Sequence, residues 1–217
     1  MSGRGTKGVP KAERMAAILA AASAMFVEQG YANTSVAAIA AQAGVTKPLV
    51  YSYFTSKGAL YGECVRAAGE RILGDVVSAQ RGTYADRAVG TITAILRAIE
   101  QSPADWALIM FDTSVHPGME EFELVDHYRR AVSVVGVESV AELVASSDAP
   151  HEGGDERLLA QFWLAIVTTS VTWSMRHPAE SADQTADRIR RILALLASML
   201  GGGGVVDDGP GGPNLSI

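Results

Sequence analysis

From Thr34 to Lys57 the chain reads TSVAAIAAQAGVTKPLVYSYFTSK. Two short runs of helix-forming residues flank Gly44, where a chain that turns sharply needs the left-handed backbone glycine tolerates. On the near side Asn33 and Thr34 can cap a helix. Its small surface, Ala37, Ala38, Ala40 and Ala41, packs closely around Ile39. On the far side Val45 plugs the angle, Thr46 caps, and Pro48 sits in the first turn, where a missing N–H costs little. Val50 and Phe54 lie four apart and share the inward face, which turns Lys47, Leu49, Tyr51 and Tyr53 outward in some combination. The spacing predicts a helix-turn-helix whose second helix is shaped for the major groove of duplex DNA.

The residue types fit that contact. Lys47, near the helix start, reaches guanine acceptors or a phosphate, and Leu49 presses on a thymine methyl. Thr46 and Ser52 donate to phosphate or a base, and the hydroxyls of Tyr51 and Tyr53 suit phosphate. Lys57 begins the next helix, where a cation and free amides together hold a phosphate; Thr34 and Ser35 do the same at the first short helix. With Pro48 these ten residues are the candidate DNA-binding set. A lone lysine is ordinarily just solvated, and tyrosines in small domains are often half-buried core. Their joint occurrence on one short helix after an alanine-rich helix and a glycine turn carries the reading.

Upstream, residues 1–10 hold three glycines around Arg4 and Lys7 and predict a flexible basic arm. A first helix is expected from Lys11 to Gln29, with Met15, Ile18, Leu19, Ala22, Met25 and Phe26 on one face and Gly30 as its stop. Downstream, Ser56 caps a longer helix, 57–79. Five further helices are expected at about 84–101, 103–115, 118–146, 155–176 and 179–200, punctuated by Pro103, Pro117 and Pro178. The valine-rich run 132–144 reads as helix by its length and flanking acids. The chain is therefore all-α, with about nine helices: an arm (1–10), a helix-turn-helix head (11–56), a larger ligand-binding and dimerisation bundle (57–200), and a glycine-rich disordered tail (201–217).

Charge divides the same way. Residues 1–60 carry six Lys or Arg against two acids, whereas residues 61–217 carry twelve against 22. Phosphate attraction is local, within about 10 Å at ordinary salt, so the basic head outweighs the overall charge of −6. One cysteine, Cys64, excludes an intrachain disulfide framework and a cysteine-based zinc cluster. No run of 18 apolar residues and no signal-peptide core is present, so a cytoplasmic location is expected. GxSxG, phosphate-loop and HExxH motifs are absent, which argues against an enzyme.

Residues 14–64 closely resemble the N-terminal domain of the TetR family of transcriptional regulators. The matching pieces are ILAAASAMFVEQGYANTS, IAAQAGVTKPLVYSYF and SKGALY. Ser23 departs from the apolar residue common in the family; its hydroxyl can bond back to its own helix. The resemblance implies that Lys47, Leu49 and Tyr51 approach bases, while Thr34, Thr46, Tyr53 and Lys57 hold the DNA backbone. It also implies that the last two helices pair with those of a second subunit.

Periodicity gives that pairing independent support. Phe162, Ile166, Thr169 and Trp173 recur along one face, and Ile189, Ile192, Leu193, Leu196 and Leu200 form a broad apolar stripe; both are candidate dimer-interface residues. Trp106, Met110, Phe111, Phe122, Tyr128, Phe162 and Trp163, with His116 and His127, are the candidate ligand-pocket residues. Asp112 and Glu120 lie near the histidines in sequence, but their spacing fits no metal motif, and neither metal nor cofactor is expected. The expected function is a ligand-responsive regulator, a repressor released from a palindromic operator by a small apolar or amphipathic molecule. The alternatives are a ligand-dependent activator or co-repressed regulator and, from another class, a structural helical dimer that binds no DNA.

Overall fold

Ser35, Thr46, Ser56 and Thr83 set where four helices begin. Each side-chain oxygen accepts a bond from the backbone N–H three residues on: Ala38, Leu49, Ala59 and Asp86. At Thr83 the bond is returned, because Asp86 accepts from the Thr83 N–H and closes a capping box. The computed structural model describes residues 10–111, 115–145 and 152–201. Within these, the side chains of Tyr84, Ala85, Leu143, Val144, Ala197 and Leu200 are not described. Most of the expected arm, Asp112 and the tail beyond Gly201 lie outside the described residues.

Among the described residues there are nine helices: α1 (Lys11–Asn33), α2 (Val36–Gln42), α3 (Lys47–Tyr53), α4 (Lys57–Ser78), α5 (Tyr84–Gln101), α6 (Pro103–Met110), α7 (Glu120–Ala145), α8 (Asp155–Arg176) and α9 (Ala182–Gly201). The all-α expectation holds, and the valine-rich run is helical within α7. Gly30, at a φ of 77°, breaks the helical backbone where the stop was expected, with only residues 31–33 helical beyond it. Met15, expected on the inward face of α1, is exposed. Other boundaries differ. Ser35, not Asn33 or Thr34, caps α2. The helix expected to reach 115 stops at Met110.

Helix α4 joins head to body. It packs against α1 on the head side and against α5, α6 and α7 on the body side, and Arg71 of α4 pairs with Asp105 of α6. The buried core runs along it without a break, from Ile18, Phe26, Val50 and Phe54 through Tyr61 to Ile72, Trp106 and Val132. A smaller cluster, Ile92, Leu96, Trp163, Ala182 and Ala186, closes α5 against α8 and α9. Helices α1 and α8 are long and apolar enough, by length and composition alone, to cross a bilayer. In α1 that apolarity faces the head core, where Ile18, Ala22 and Phe26 are fully buried.

Cys64 sits in this core with its thiol 3.7 Å from the Leu19 carbonyl. Burial pushes the thiol from its ordinary 9.0 up to about 12. Tyr31 is also raised to about 12, first by burial and then by its hydrogen bond to Glu121 and that carboxylate's charge. A group whose pKa is raised on folding favours the folded state below its unfolded pKa and loses that contribution as pH climbs through the folded value. Both groups therefore weaken the fold only on the alkaline side, between about pH 9 and 12. At pH 8 the folded chain is expected to resist thiol reagents, with Cys64 labelled only as fast as the chain opens. Rapid stoichiometric labelling without denaturant would contradict that burial.

Candidate nucleic-acid interface and body cavity

The turn between α2 and α3 places Gly44 at a φ of 67°, where any side chain would be strained although open space surrounds the position. Val45 N–H bonds the Ala40 carbonyl at 2.9 Å and sets the angle between the helices. In α3, Val50 is buried and Phe54, just past its end, closes the same inward face. Lys47, Pro48, Tyr51 and Ser52 are thereby exposed, with Leu49 half-buried. Tyr51 is 44% exposed. The Lys47 ammonium lies 5.8 Å from its ring centre, so the cation and the aromatic share one outward surface.

Tyr53 is half-buried and draws in two residues that sequence reading passed over. Arg14 Nε donates to its hydroxyl at 3.3 Å, and the Lys11 ammonium lies 5.5 Å from its ring centre. The start of α1 thus adds positive charge beside α3. The only sequence signal was a Lys and an Arg three apart on a helix face; contact across 39 positions is a tertiary outcome.

Three candidates are placed differently from expectation. Thr34 is buried, and its hydroxyl donates to the Gly30 carbonyl at 2.8 Å, with the Met25 carbonyl at 3.1 Å. It fastens the kinked end of α1 instead of facing nucleotides. The three N–H groups of Lys57 reach the carbonyls of Tyr31 (2.8 Å), Thr34 (3.2 Å) and Ala32 (3.3 Å). Its ammonium also lies 4.4 Å from the Tyr31 ring centre. No donor is left for a phosphate, so Lys57 caps the C-terminal end of α1. Ser52 donates to the Leu49 carbonyl at 2.7 Å, which occupies its only proton. Ser35 and Thr46 remain exposed and serve as caps.

Tyr31 extends the Lys57 contact into the body by donating to Glu121 Oε1 of α7 at 2.9 Å. Lys57→Met, which keeps the stem and removes the donors, is expected to cost about 1–2 kcal/mol. That lowers Tm by roughly 2–8 °C for a chain of this size. DNA affinity should fall equally for matched and scrambled duplexes, because the head is loosened and no base contact is lost. Loss confined to one DNA sequence would return Lys57 to the contact surface.

A cavity of about 100 Å³ lies between α5, α6, α7 and α8. Trp106, Met110, Phe111 and Trp163 line it, as expected. The other five candidates do not. Tyr128 packs over Gly69 of α4, His127 stacks edge-on against Tyr128, and His116 and Phe162 are exposed. Phe122 is half-buried in the first turn of α7, a turn none of whose residues line the cavity. The lining they were meant to supply comes from Thr91 and Ile95 of α5, from Val132, Ser133 and Gly136 of α7, and from Leu164, Val167, Thr168 and Val171 of α8. Their helical spacing was legible, but ranking by side-chain size favoured aromatics on other faces.

On α8 and α9 a different face stays uncovered. Phe162, Trp173, Ile192 and Leu196 are exposed, as are Leu158, Leu159, Leu195 and Met199. Thr169 lies on this face too. Ile166 and Ile189 instead pack inward on the second core cluster. Leu193 is half-buried, and the Leu200 side chain lies outside those described.

The model of bacterial regulatory proteins of the tetR family matches residues 18–64, the span from mid-α1 into α4. Over 79 residues the chain is 37% identical to the HTH-type transcriptional activator FasR of Mycolicibacterium smegmatis; that stretch is 36% of each protein, so the chain spans about a third of that relative's length. The fold is similar to that of a TetR-like transcriptional regulator from Rhodococcus sp. RHA1, at a TM-score of 0.66 and 22% identity over 89% of this chain and 99% of that one. It is also similar to FadR from Bacillus subtilis, solved in complex with stearoyl-CoA, at a TM-score of 0.59 and 21% identity over 84% and 97%. At these identities the two solved structures speak for the fold alone. The helix-turn-helix thus lies inside the stretch that matches the tetR family of bacterial regulatory proteins, and the nine described helices take a fold similar to those two structures.

Proposed function

We propose that the chain is a DNA-binding transcriptional regulator whose hold on a palindromic operator is set by a small molecule in the body cavity. The observation that carries this is the outward pairing of Lys47 and Tyr51 on a capped helix, beside Lys11, Arg14 and Tyr53. In this reading residues 11–56 bind DNA, residues 57–200 bind the ligand and pair the subunits, and Lys47, Leu49 and Tyr51 approach bases. Thr46, Ser35 and Tyr53 face the phosphates. One seven-residue helix reads few base pairs, whereas a two-fold dimer reads two half-sites, about 34–36 Å apart when one helical turn separates them. The uncovered apolar face of α8 and α9 suits that second copy.

Occupancy of the cavity acts by population shift. A ligand that favours one arrangement of α5–α8 moves α4, and with it the spacing of the two heads. Reciprocity then requires bound operator to change ligand affinity by the same factor. Repression relieved by the ligand is the primary reading. Activation is the second, favoured by the name of FasR, the relative 37% identical over 79 residues. A reporter under the chain's own promoter separates them: deletion of the gene raises expression under repression and lowers it under activation.

The binding test is anisotropy titration against DNA flanking the chain's own gene. Binding should saturate at two subunits per site and weaken steeply with salt. Phe162→Glu with Leu196→Glu is expected to give a sedimenting monomer that retains helical content and loses operator affinity by at least a hundredfold. A double variant that stays dimeric, or a wild-type chain with no sequence preference, would overturn the proposal.

A further inference from the structure

Three glycines on one face of α4 let α7 come close. An added Cβ would lie 2.3 Å from Glu121 Oε1 at Gly58, 3.8 Å from Leu124 Cδ2 at Gly62 and 2.3 Å from the Tyr128 ring at Gly69. The contacts climb both helices in the same direction, so α7 runs parallel to α4 and presents its first turn to the head. There Tyr31, just past the Gly30 break in α1, donates its hydroxyl to Glu121 Oε1 at 2.9 Å. The bond passes directly over Gly58, where an added Cβ would also lie 3.4 Å from the Tyr31 hydroxyl. The Tyr31 ring is itself held by the head and the start of α4. It stacks on Phe26 at 5.9 Å, meets the Tyr61 ring edge-on at 5.1 Å and carries the Lys57 ammonium 4.4 Å from its centre. Its aim is therefore set by the head core, whereas Glu121 travels with α7. A shift of α7 by about 1 Å away from Tyr31 takes the pair beyond hydrogen-bond reach.

We propose that Tyr31 and Glu121, meeting over Gly58, form a latch that holds the DNA-binding head at one angle to the body and opens when α7 moves. This rests on the chain being a DNA-binding regulator. Helix α7 also carries Val132 and Gly136 of the cavity wall, so an occupant of the cavity acts on the latch through α7, beside the route through α4. Glu121 is a positioning residue. It touches no nucleotide and sets where the head stands. In a two-fold pair both latches must open before the heads swing to a new separation, which makes the chain selective for the spacing of its half-sites.

The test uses the full-length chain, the palindromic duplex it binds, and the same duplex with one base pair added between the half-sites. The ratio of the two affinities is the readout. In Tyr31→Phe and in Glu121→Ala this ratio should fall by about fivefold or more, because a bond to a charged acceptor no longer has to break in either subunit. The double variant should fall no further than the singles. Glu121→Gln keeps a weaker acceptor and should lie between them and the wild type. Destabilisation alone lowers both affinities together and leaves the ratio where it was. By reciprocity, bound operator should slow hydrogen exchange at the Leu124 and Val125 amides, which bond back into the first turn of α7, in the wild type and not in Tyr31→Phe. An unchanged ratio in the two single variants, additive losses in the double variant, a Glu121→Gln ratio as low as that of Glu121→Ala, or wild-type exchange indifferent to operator would each overturn the latch. The body-side variant keeps the test open even where Tyr31→Phe fails to fold. A wild-type chain that binds no duplex with sequence preference would overturn the regulator reading and the latch together, whereas firm binding with an unaltered ratio removes the latch alone.

Discussion

Alanine at both Lys47 and Tyr51 is expected to abolish specific operator binding while leaving the fold and the subunit pairing intact. Both side chains are exposed on α3, and neither belongs to the buried core. The inward face of the helix is held by Val50 and Phe54, which the changes do not touch. Thermal unfolding should therefore shift by no more than a degree or two. Each good base contact is worth about 1–3 kcal/mol of discrimination, and the proposed dimer would place each substitution at two half-sites. A single alanine at either position should thus weaken the operator complex by roughly one and a half to four orders of magnitude, and the pair should reduce it to the non-specific level. Lys11→Ala should behave differently, because it removes a cation beside Tyr53 and not a residue of α3. Its loss should be uniform across DNA sequences and should lower the slope of log affinity against log salt by about 1 per contact. If Lys47→Ala and Tyr51→Ala bind operator as tightly as the parent, α3 is not the reading helix.

Gly69→Ala is expected to be the most damaging small change in the body. An added Cβ would lie 2.3, 2.4 and 2.5 Å from three atoms of the Tyr128 ring. These atoms form the body of the ring, and Tyr128 is itself buried against α4, so rotation about a flexible end offers no relief. Helix α7 must move off α4, or Tyr128 must leave its site. Overpacking of this kind costs about 1–3 kcal/mol and occasionally more, which lowers Tm by roughly 2–12 °C in a chain of this length. Tyr128→Ala alone should also destabilise, by emptying the site. Combined with Gly69→Ala it should cost less than the sum, since the ring is what the new methyl meets. Additive losses in that double variant would mean that the two residues do not touch. Helix α7 carries Glu121 to the head at one end and the cavity wall at Val132 and Gly136 further along, so in the proposed coupling this contact would bear on function as well as stability.

Much of the head was legible because its signals are local. A cap and the N–H it accepts from are three residues apart, so Thr46 and Ser56 announce their helices within one turn. Gly44 and Pro48 restrict their own backbone, and the four-residue spacing of Val50 and Phe54 decides which way Lys47 faces. The body cavity was only half legible. Its helices were expected, and Trp106 and Trp163 line it, yet three other aromatic candidates, Phe122, Tyr128 and Phe162, lie on faces of α7 and α8 that point elsewhere. Size ranks what a residue can bury, not which neighbour it meets. Lys57 and Thr34 illustrate the same limit, since both are polar residues at helix starts, the pattern of a phosphate site. Only the kinked end of α1 folding back over α4 supplies the carbonyls that occupy them.

By itself the sequence determined that the fold is all-α, that a helix-turn-helix lies within Thr34–Lys57, and that Lys47, Leu49, Tyr51 and Tyr53 turn outward in some combination. Those outcomes depend on caps, turns and a helical period of about 3.6 residues, all of which act within a few residues. Tertiary structure alone decided that Lys11 and Arg14 stand beside Tyr53, that Lys57 closes α1, that Gly69 receives the Tyr128 ring, and that the Tyr31 hydroxyl meets Glu121 over Gly58. Each of these joins residues brought together by packing across α1, α3, α4 and α7, where the partner is chosen by how helices cross and not by proximity along the chain.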